Sequence, residues 1–158
     1  MKLEAQTTGP ETRCSAETPS GAAASREPSG KGCGLGGYIL VVDDDPDVCN
    51  LILEVLHLLG CEARKAVDGQ QALQMVEEHP PQAIVLDLMM PTLNGFLTLT
   101  RLQKDQKLRA IPIILLSGLA ETNCSIHKLP GVVGVMRKGD FSVDGLRTLL
   151  GRAGIEVR

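Results

Sequence analysis

Aromatic side chains are almost absent from this 158-residue chain, which contains one Tyr, two Phe and no Trp. Proteins that bind single-stranded nucleic acids usually stack the bases on several aromatic side chains. The formal net charge of −3 gives no further support for direct binding to nucleic acid or to an anionic membrane. We therefore expect a direct partner of another kind.

Long apolar runs are missing as well. None approaches the roughly 20 residues that a membrane-spanning helix needs, and the charged and polar residues after Met1 leave no apolar segment for a signal peptide. The five cysteines are odd in number and contain no C-x-x-C pair. We predict reduced thiols in a cytoplasmic protein with no membrane partner. A disulfide between Cys49 and Cys61, or one within the N-terminal segment, is the alternative.

The N-terminal segment, residues 1–36, is rich in Ser, Pro, Gly and Ala, and its four basic and four acidic residues cancel. Such a segment buries too little apolar surface to offset the entropy lost on ordering, so we predict a disordered tail. The tail is either a tether for a partner or an extension without a function of its own. Its last part, residues 32–37, is similar to a dinucleotide-binding fingerprint but precedes the first strand, and we interpret it as a hinge. Residues 37–158 form a single predicted domain.

Short apolar runs and amphipathic segments alternate through the rest of the chain. Runs rich in Ile, Val and Leu predict buried strands, and a run that alternates small apolar with charged residues predicts an edge strand. The predicted buried strands are 38–42, 83–87, 111–116 and 132–136, and the edge strand is 61–67. The predicted helices are 46–59, 70–79, 96–105, a short one within 119–130, and a last one capped by Ser142. Five such alternations indicate an α/β fold with a parallel sheet and helices on both faces.

The first helix has the clearest boundaries. Asp45 followed by Pro46 is a typical start, because Asp accepts hydrogen bonds from free N–H groups and Pro suits the first turn. Gly60 marks the end. The predicted apolar face of this helix consists of Val48, Leu51, Ile52, Val55, Leu58 and Leu59.

Charged and polar side chains follow several of the predicted strands. Because the carboxyl ends of parallel strands meet at one edge of a sheet, these side chains should lie close together. Carboxylates at a separation near 4 Å repel by about 4 kcal/mol when the effective dielectric constant is near 20, so a cation must share the edge. An all-oxygen group favours Mg²⁺ or Mn²⁺ over zinc. The predicted cluster consists of Asp43, Asp44, Asp87, Ser117 and Lys138, with Asp45 as a further candidate.

Asp87 is the central residue of this cluster, because it ends a run that is otherwise apolar. Burying a carboxylate is costly unless a cation meets it. A metal ion, the ammonium of Lys138 and the hydroxyl of Ser117 would together surround a phosphoryl group on Asp87. Aspartate is a known nucleophile in phosphoryl transfer, which requires mainly positioning and charge neutralisation.

The chain resembles the receiver domain of two-component response regulators in four segments, VVDDDPDV, AIVLDLMMPTLNG, IPIILLSG and VMRKGDF, which occur in the family's order. The resemblance covers residues 38–153. It implies a flavodoxin-like fold, with a five-stranded parallel sheet of order 2-1-3-4-5 and helices on both faces. It also implies that Asp87 is the phosphoacceptor and that Asp43, Asp44 and the backbone carbonyl of Met89 hold Mg²⁺.

The same resemblance implies that Ser117 is the switch hydroxyl and that Lys138 contacts the phosphoryl group. The family usually has Lys-Pro at this point, whereas this chain has Lys138-Gly139. The cis-proline turn is therefore absent, and Arg137 is a rival for the role of the lysine. Val135 stands where the family often has an aromatic switch residue, which excludes aromatic reorientation as the output signal.

These residues predict a phosphorylation-controlled signalling module. A histidine kinase or phosphotransfer protein would phosphorylate Asp87, and the change would alter a surface that a downstream protein recognises. Because the chain ends soon after the last helix, we expect a single-domain regulator with no attached output domain, and no enzymatic activity beyond its own phosphorylation and dephosphorylation. The alternative is a degenerate receiver that binds proteins without being phosphorylated. An aspartyl-phosphate hydrolase is disfavoured, since such enzymes need a second acid where this chain has Met89.

Overall fold

Five parallel strands form one sheet in the order β2-β1-β3-β4-β5. The computed structural model describes residues 36–91, 94–118 and 125–158. The strands are β1 (Ile39–Val42), β2 (Ala63–Ala66), β3 (Ala83–Asp87), β4 (Ile113–Ser117) and β5 (Val132–Arg137). The predicted strand order and the flavodoxin-like arrangement are confirmed.

Helices lie between the strands and after the last one. They are α1 (Pro46–Leu58), α2 (Gly69–Glu78), α3 (Gly95–Lys104) and α4 (Val143–Arg152). Each begins after a polar residue whose side chain accepts a hydrogen bond from an N–H group of the first turn, and these capping residues are Asp45, Asp68, Asn94 and Ser142. The predicted bounds of α1, α2 and α3 differ from the observed ones by no more than one residue, because capping is a local property of the sequence.

The connection between β4 and β5 was predicted to contain a short helix within 119–130. Residues 119–124 lie outside the described residues, and the described part contains a 3₁₀ turn at Ile126–Lys128. Pro130 and Gly131 follow directly, and Gly131 has a positive φ of 81°. These two residues turn the chain into β5, so there is no room for a longer helix after Lys128.

Two apolar cores lie on the two faces of the sheet. Helices α1 and α4 cover one face, and α2 and α3 cover the other. Successive residues of β1 point alternately into these cores: Ile39 and Val41 into the first, Leu40 and Val42 into the second. All four are fully buried, as expected for a strand inside a parallel sheet.

The apolar face predicted for α1 is partly wrong. Leu51 and Leu58 are exposed over 50% and 78% of their surface, whereas Cys49 and Leu56 are buried. Neighbouring residues of a helix point about 100° apart, so Leu51 and Leu58 lie beside the stripe that meets the sheet. That buried stripe consists of Cys49, Ile52, Val55, Leu56 and Leu59.

The edge strand is β2, as predicted, and it carries exposed Arg64 and Lys65. Its pairing with β1 is limited to Ala63–Ala66, which is shorter than the predicted run. Cys61 precedes the strand and is buried in the core beneath α1, as is Cys49. Cys49 and Cys61 do not form a disulfide with each other, so that alternative is wrong.

The predicted N-terminal tail and most of the predicted hinge lie in residues 1–35, outside the described residues. Within the three described ranges, no helix is both long enough and apolar enough to cross a bilayer.

Candidate functional site

Asp87 is the last residue of β3, and its side chain is completely buried. Each of its two carboxylate oxygens has a partner. The backbone N–H of Met89 donates to Oδ1 at 3.0 Å, and Lys138 Nζ donates to Oδ2 at 2.9 Å. The carboxylate is therefore held in one orientation at the carboxyl edge of the sheet.

Asp43 follows β1 directly and is also completely buried. Its Oδ1 accepts a hydrogen bond from the backbone N–H of Asp45 at 2.9 Å, and its Oδ2 lies 2.7 Å from Lys138 Nζ. Among the described residues Asp43 Oδ2 is a buried oxygen with no hydrogen-bond partner, so we treat its contact with the ammonium as an ion pair. One lysine thus bridges two buried carboxylates.

Lys138 comes directly after β5, and its side chain is 27% exposed. The structure therefore places Lys138, and not Arg137, in the acidic pocket. Arg137 instead forms an ion pair with Asp140 outside the pocket. The chain turns there through a 3₁₀ segment, Lys138–Asp140, and no cis peptide bond occurs in the described ranges.

The pKa values of Asp87 and Lys138 reflect this burial. Burial raises the pKa of Asp87 above its ordinary value, although the N–H of Met89 and the ammonium of Lys138 oppose that effect. For Lys138 burial acts in the opposite direction, but the carboxylates of Asp43 and Asp87 outweigh it and raise the pKa of the lysine. Lys138 is therefore a cation at neutral pH.

Asp44 completes an acidic group at this edge. One carboxylate oxygen from each of Asp43, Asp44 and Asp87 lies within 4.8 Å of the other two. Asp44 is exposed, while the other two are buried. The ligand set is all oxygen, so the group fits a hard divalent cation that keeps some of its water.

Of the other residues predicted for the site, Ser117 and Met89 lie beside Asp87 and Asp45 lies apart from the acidic group. Ser117 ends β4, the strand next to Asp87, and is 2% exposed. Met89 has an exposed side chain, and its backbone lies against Asp87 through the N–H. Asp45 lies outside the acidic group, because its carboxylate accepts a hydrogen bond from the N–H of Asp47 and caps α1.

Comparison with known proteins now identifies the family. The family model for the response regulator receiver domain matches residues 39–139, which include the acidic group and Lys138. The chain belongs to this receiver family. It is 35% identical over 89 residues to the DNA-binding dual master transcriptional regulator RpaA of Synechocystis, an alignment that covers 56% of this chain and 37% of RpaA. The receiver thus spans little more than a third of that relative.

Solved receiver structures have the same fold. The receiver domain of the Francisella response regulator 1452 is 32% identical, with a TM-score of 0.65, and the match covers 75% of this chain and 97% of that one. The receiver domain of a sensor histidine kinase from Pseudomonas aeruginosa, described with a magnesium ion coordinated in its active site cleft, is 28% identical. Its TM-score is 0.66, and the match covers 76% of this chain and 99% of that one.

Two residues of this receiver position the site but were not singled out from the sequence. A Cβ on Gly95 would overlap the carbonyl oxygen of Asp87 and lie 2.6 Å from Leu88 Cα, so α3 can pack against the end of β3 only with glycine there. The buried thiol of Cys49 donates to the carbonyl of Asp43 at 3.3 Å. The Asn94-Gly95 pair, a helix cap followed by a residue without a side chain, is the sequence signal for the close approach of α3 to the backbone at Asp87.

Proposed function

We propose that this receiver domain accepts a phosphoryl group on Asp87 from a phosphohistidine of a histidine kinase or phosphotransfer protein. We also propose that Mg²⁺ is bound by Asp43, Asp44, Asp87 and the backbone carbonyl of Met89, with Mn²⁺ as a substitute. The main support is Lys138, whose ammonium lies 2.7 Å from Asp43 Oδ2 and 2.9 Å from Asp87 Oδ2.

The proposed phosphoryl transfer is a nucleophilic displacement at phosphorus. A carboxylate oxygen of Asp87 forms the new P–O bond, and the P–N bond of the phosphohistidine breaks. The electron pair of that bond leaves with the imidazole nitrogen. The product is an acyl phosphate on Asp87, and one proton, taken from solvent or already carried by the other ring nitrogen of the phosphohistidine, lets the histidine leave as neutral imidazole.

The residues of this chain supply orientation and charge. The N–H of Met89 holds Oδ1 of Asp87, which restricts rotation of the carboxylate. Lys138 keeps its proton, because its pKa is raised, and offers a cation to the developing negative charge. A divalent cation, when bound, would neutralise the acidic side chains and polarise the phosphoryl oxygens. Asp43 is held for that role by the N–H of Asp45.

We propose that Ser117 moves to meet the phosphoryl group and that the signal leaves through a surface recognised by another protein, in the cytoplasm. Ser117 ends β4, whose partner β5 carries Val135. Val135 is partly buried against the core beneath α2 and α3, so a change passed along β5 at this position would involve a small branched side chain and not an aromatic one. The relative RpaA is described as DNA-binding, and this chain covers 37% of it.

The test is phosphorylation by acetyl phosphate with Mg²⁺, followed by intact-protein mass spectrometry. We expect the mass of one phosphoryl group on the native protein, none on Asp87→Asn, and the full gain on Asp47→Asn. Asp47 is a suitable control because it is exposed on α1 outside the acidic group. No gain on the native protein, or a gain that survives Asp87→Asn, would overturn the proposal in favour of a receiver that binds partners without phosphorylation.

A further inference from the structure

The turn that carries Lys138 lacks the restraint that a proline would supply. Strand β5 ends at Arg137, and Lys138–Asp140 form a 3₁₀ turn with Gly139 at its centre. A Cβ at Gly139 would meet nothing within 4 Å, so no close packing explains the glycine. Glycine widens the range of backbone conformations open to the turn. Another interaction must therefore restrict the backbone conformations of this turn if Lys138 is to reach the pocket reproducibly.

The ends of the turn are held in two ways. Met136 before it and Phe141 after it pack against the core beneath α1 and α4. Between them, the guanidinium of Arg137 forms an ion pair with the carboxylate of Asp140, three residues later. This pair closes the turn on the solvent side, across Lys138 and Gly139.

We propose that Arg137 and Asp140 are positioning residues that hold Lys138 in the pocket in place of a Lys-Pro turn. Lysine has a long flexible stem, and its ammonium must lie near two separate oxygens, at 2.7 Å and 2.9 Å. Closing the turn fixes where that stem begins and lowers the entropy lost when Lys138 enters the pocket. Arg137 is also aligned with Ser117 in the pairing of β4 and β5, so the same ion pair stabilises the backbone beside the proposed switch residue. The effect on phosphorylation rests on the function proposed above.

The expected effect is modest. Both side chains are largely exposed, at 55% and 61%, and exposed ion pairs are weak and screened by salt. Loss of the pair should slow phosphorylation of Asp87 by about two- to five-fold, the range set by the strength of such pairs. The difference should shrink in about 1 M salt, where the Debye length is near 3 Å.

The kinetic test measures the rate of Asp87 phosphorylation by acetyl phosphate in Arg137→Gln, Asp140→Asn and the double variant. Each single variant should be slower than the native protein, the double variant no slower than the slower single one, and Arg137→Lys close to native. The control is Arg147→Gln, because Arg147 and Asp144 form an exposed ion pair of the same i,i+3 spacing within α4. That control should keep the native rate. Equal rates in all variants, or equal slowing by Arg147→Gln, would overturn the proposal.

A second measurement needs no phosphodonor. In the native protein the ε-ammonium of Lys138 should give a slowly exchanging ¹H–¹⁵N signal, assigned by its loss in Lys138→Met, because two carboxylates hold its protons. Arg137→Gln and Asp140→Asn should weaken this signal, and Arg147→Gln should not. If the native protein takes up no phosphoryl group but the lysine signal responds as expected, the proposed function fails and the positioning role stands. A signal unaffected by either single variant refutes the positioning role directly.

Discussion

Lys138 Nζ donates a hydrogen bond to Asp87 Oδ2 at 2.9 Å, although the two residues are 51 positions apart in the chain. The same nitrogen lies 2.7 Å from Asp43 Oδ2. One ammonium therefore serves two carboxylates that are both completely buried. The three carboxylates of the acidic group outnumber the single ammonium, so the pocket should bind a divalent cation. An anionic phosphoryl donor should bind there together with such a cation.

Removing the ammonium should slow phosphorylation strongly. A hydrogen bond that involves a charged group contributes about 1.5–3 kcal/mol, so Lys138→Met should lower the rate with acetyl phosphate by about ten- to a hundred-fold. The variant also leaves Asp43 and Asp87 facing each other without a cation. Lys104→Met, which removes an exposed lysine at the end of α3, should keep the native rate. A native rate in Lys138→Met would contradict the role given to this residue.

Neutralising Asp87 should stabilise the metal-free protein at neutral pH. Because burial raises the pKa of Asp87, the folded protein holds this proton more tightly than the unfolded chain does. The stability linked to this carboxyl is full below the ordinary pKa of Asp, about 3.9, and is lost as the pH rises through the raised value. With a chelator present, Asp87→Asn should therefore melt above the native protein at pH 7. The difference should narrow as thermal scans are moved from pH 7 to pH 4.5, and a variant that melts lower at pH 7 would contradict this reasoning.

Magnesium should raise the melting temperature, because the acidic group exists only in the folded protein. For a ligand that binds only the folded state, a concentration of about 100 times Kd adds about 2.7 kcal/mol to the free energy of unfolding. Asp44→Asn should reduce the shift, since it removes one of the three oxygens that lie within 4.8 Å of one another. Thermal scans at constant ionic strength measure both effects. Glu77→Gln, at an exposed site on α2, should respond like the native protein, and an equal response from Asp44→Asn would remove the support for this site.

Two glycine-to-alanine substitutions should have opposite effects. In Gly95→Ala the new methyl group would overlap the backbone at Asp87 and Leu88, so α3 must move away from β3. Such overpacking typically costs about 1–3 kcal/mol. In Gly151→Ala the methyl group meets nothing within 4 Å, and the change should add up to about 1 kcal/mol through helix propensity alone. Urea unfolding measures both changes, and phosphorylation of Gly95→Ala should also slow because Asp87 is displaced. Equal stability of the two variants would show that the close approach at Gly95 is easily relieved.

Much of the fold follows from short-range features of the sequence. The capping residues Asp45 and Ser142 act on N–H groups within three residues of themselves, so the helix starts could be located without knowledge of the fold. Apolar runs fixed the central strands in the same way. That Asp43 and Asp87 lie at one edge followed from the handedness of strand–helix–strand connections, which is a general property of polypeptides.

Two features of this protein could be seen only in the tertiary structure: the face of α1 that is buried, and the cation that enters the pocket. The first depends on contacts between residues far apart in the chain, and the second on the direction in which the chain leaves β5. Apolar character alone could not show that Leu58 faces solvent, because that depends on which stripe of α1 meets the sheet. Sequence also left open whether Arg137 or Lys138 enters the pocket. The structure places Lys138 there because the turn after β5 directs it toward Asp43 and Asp87 while Asp140 pairs with Arg137. The chemical groups of the site were thus readable from the sequence, whereas the choice between the two cations depended on the direction in which the chain leaves β5.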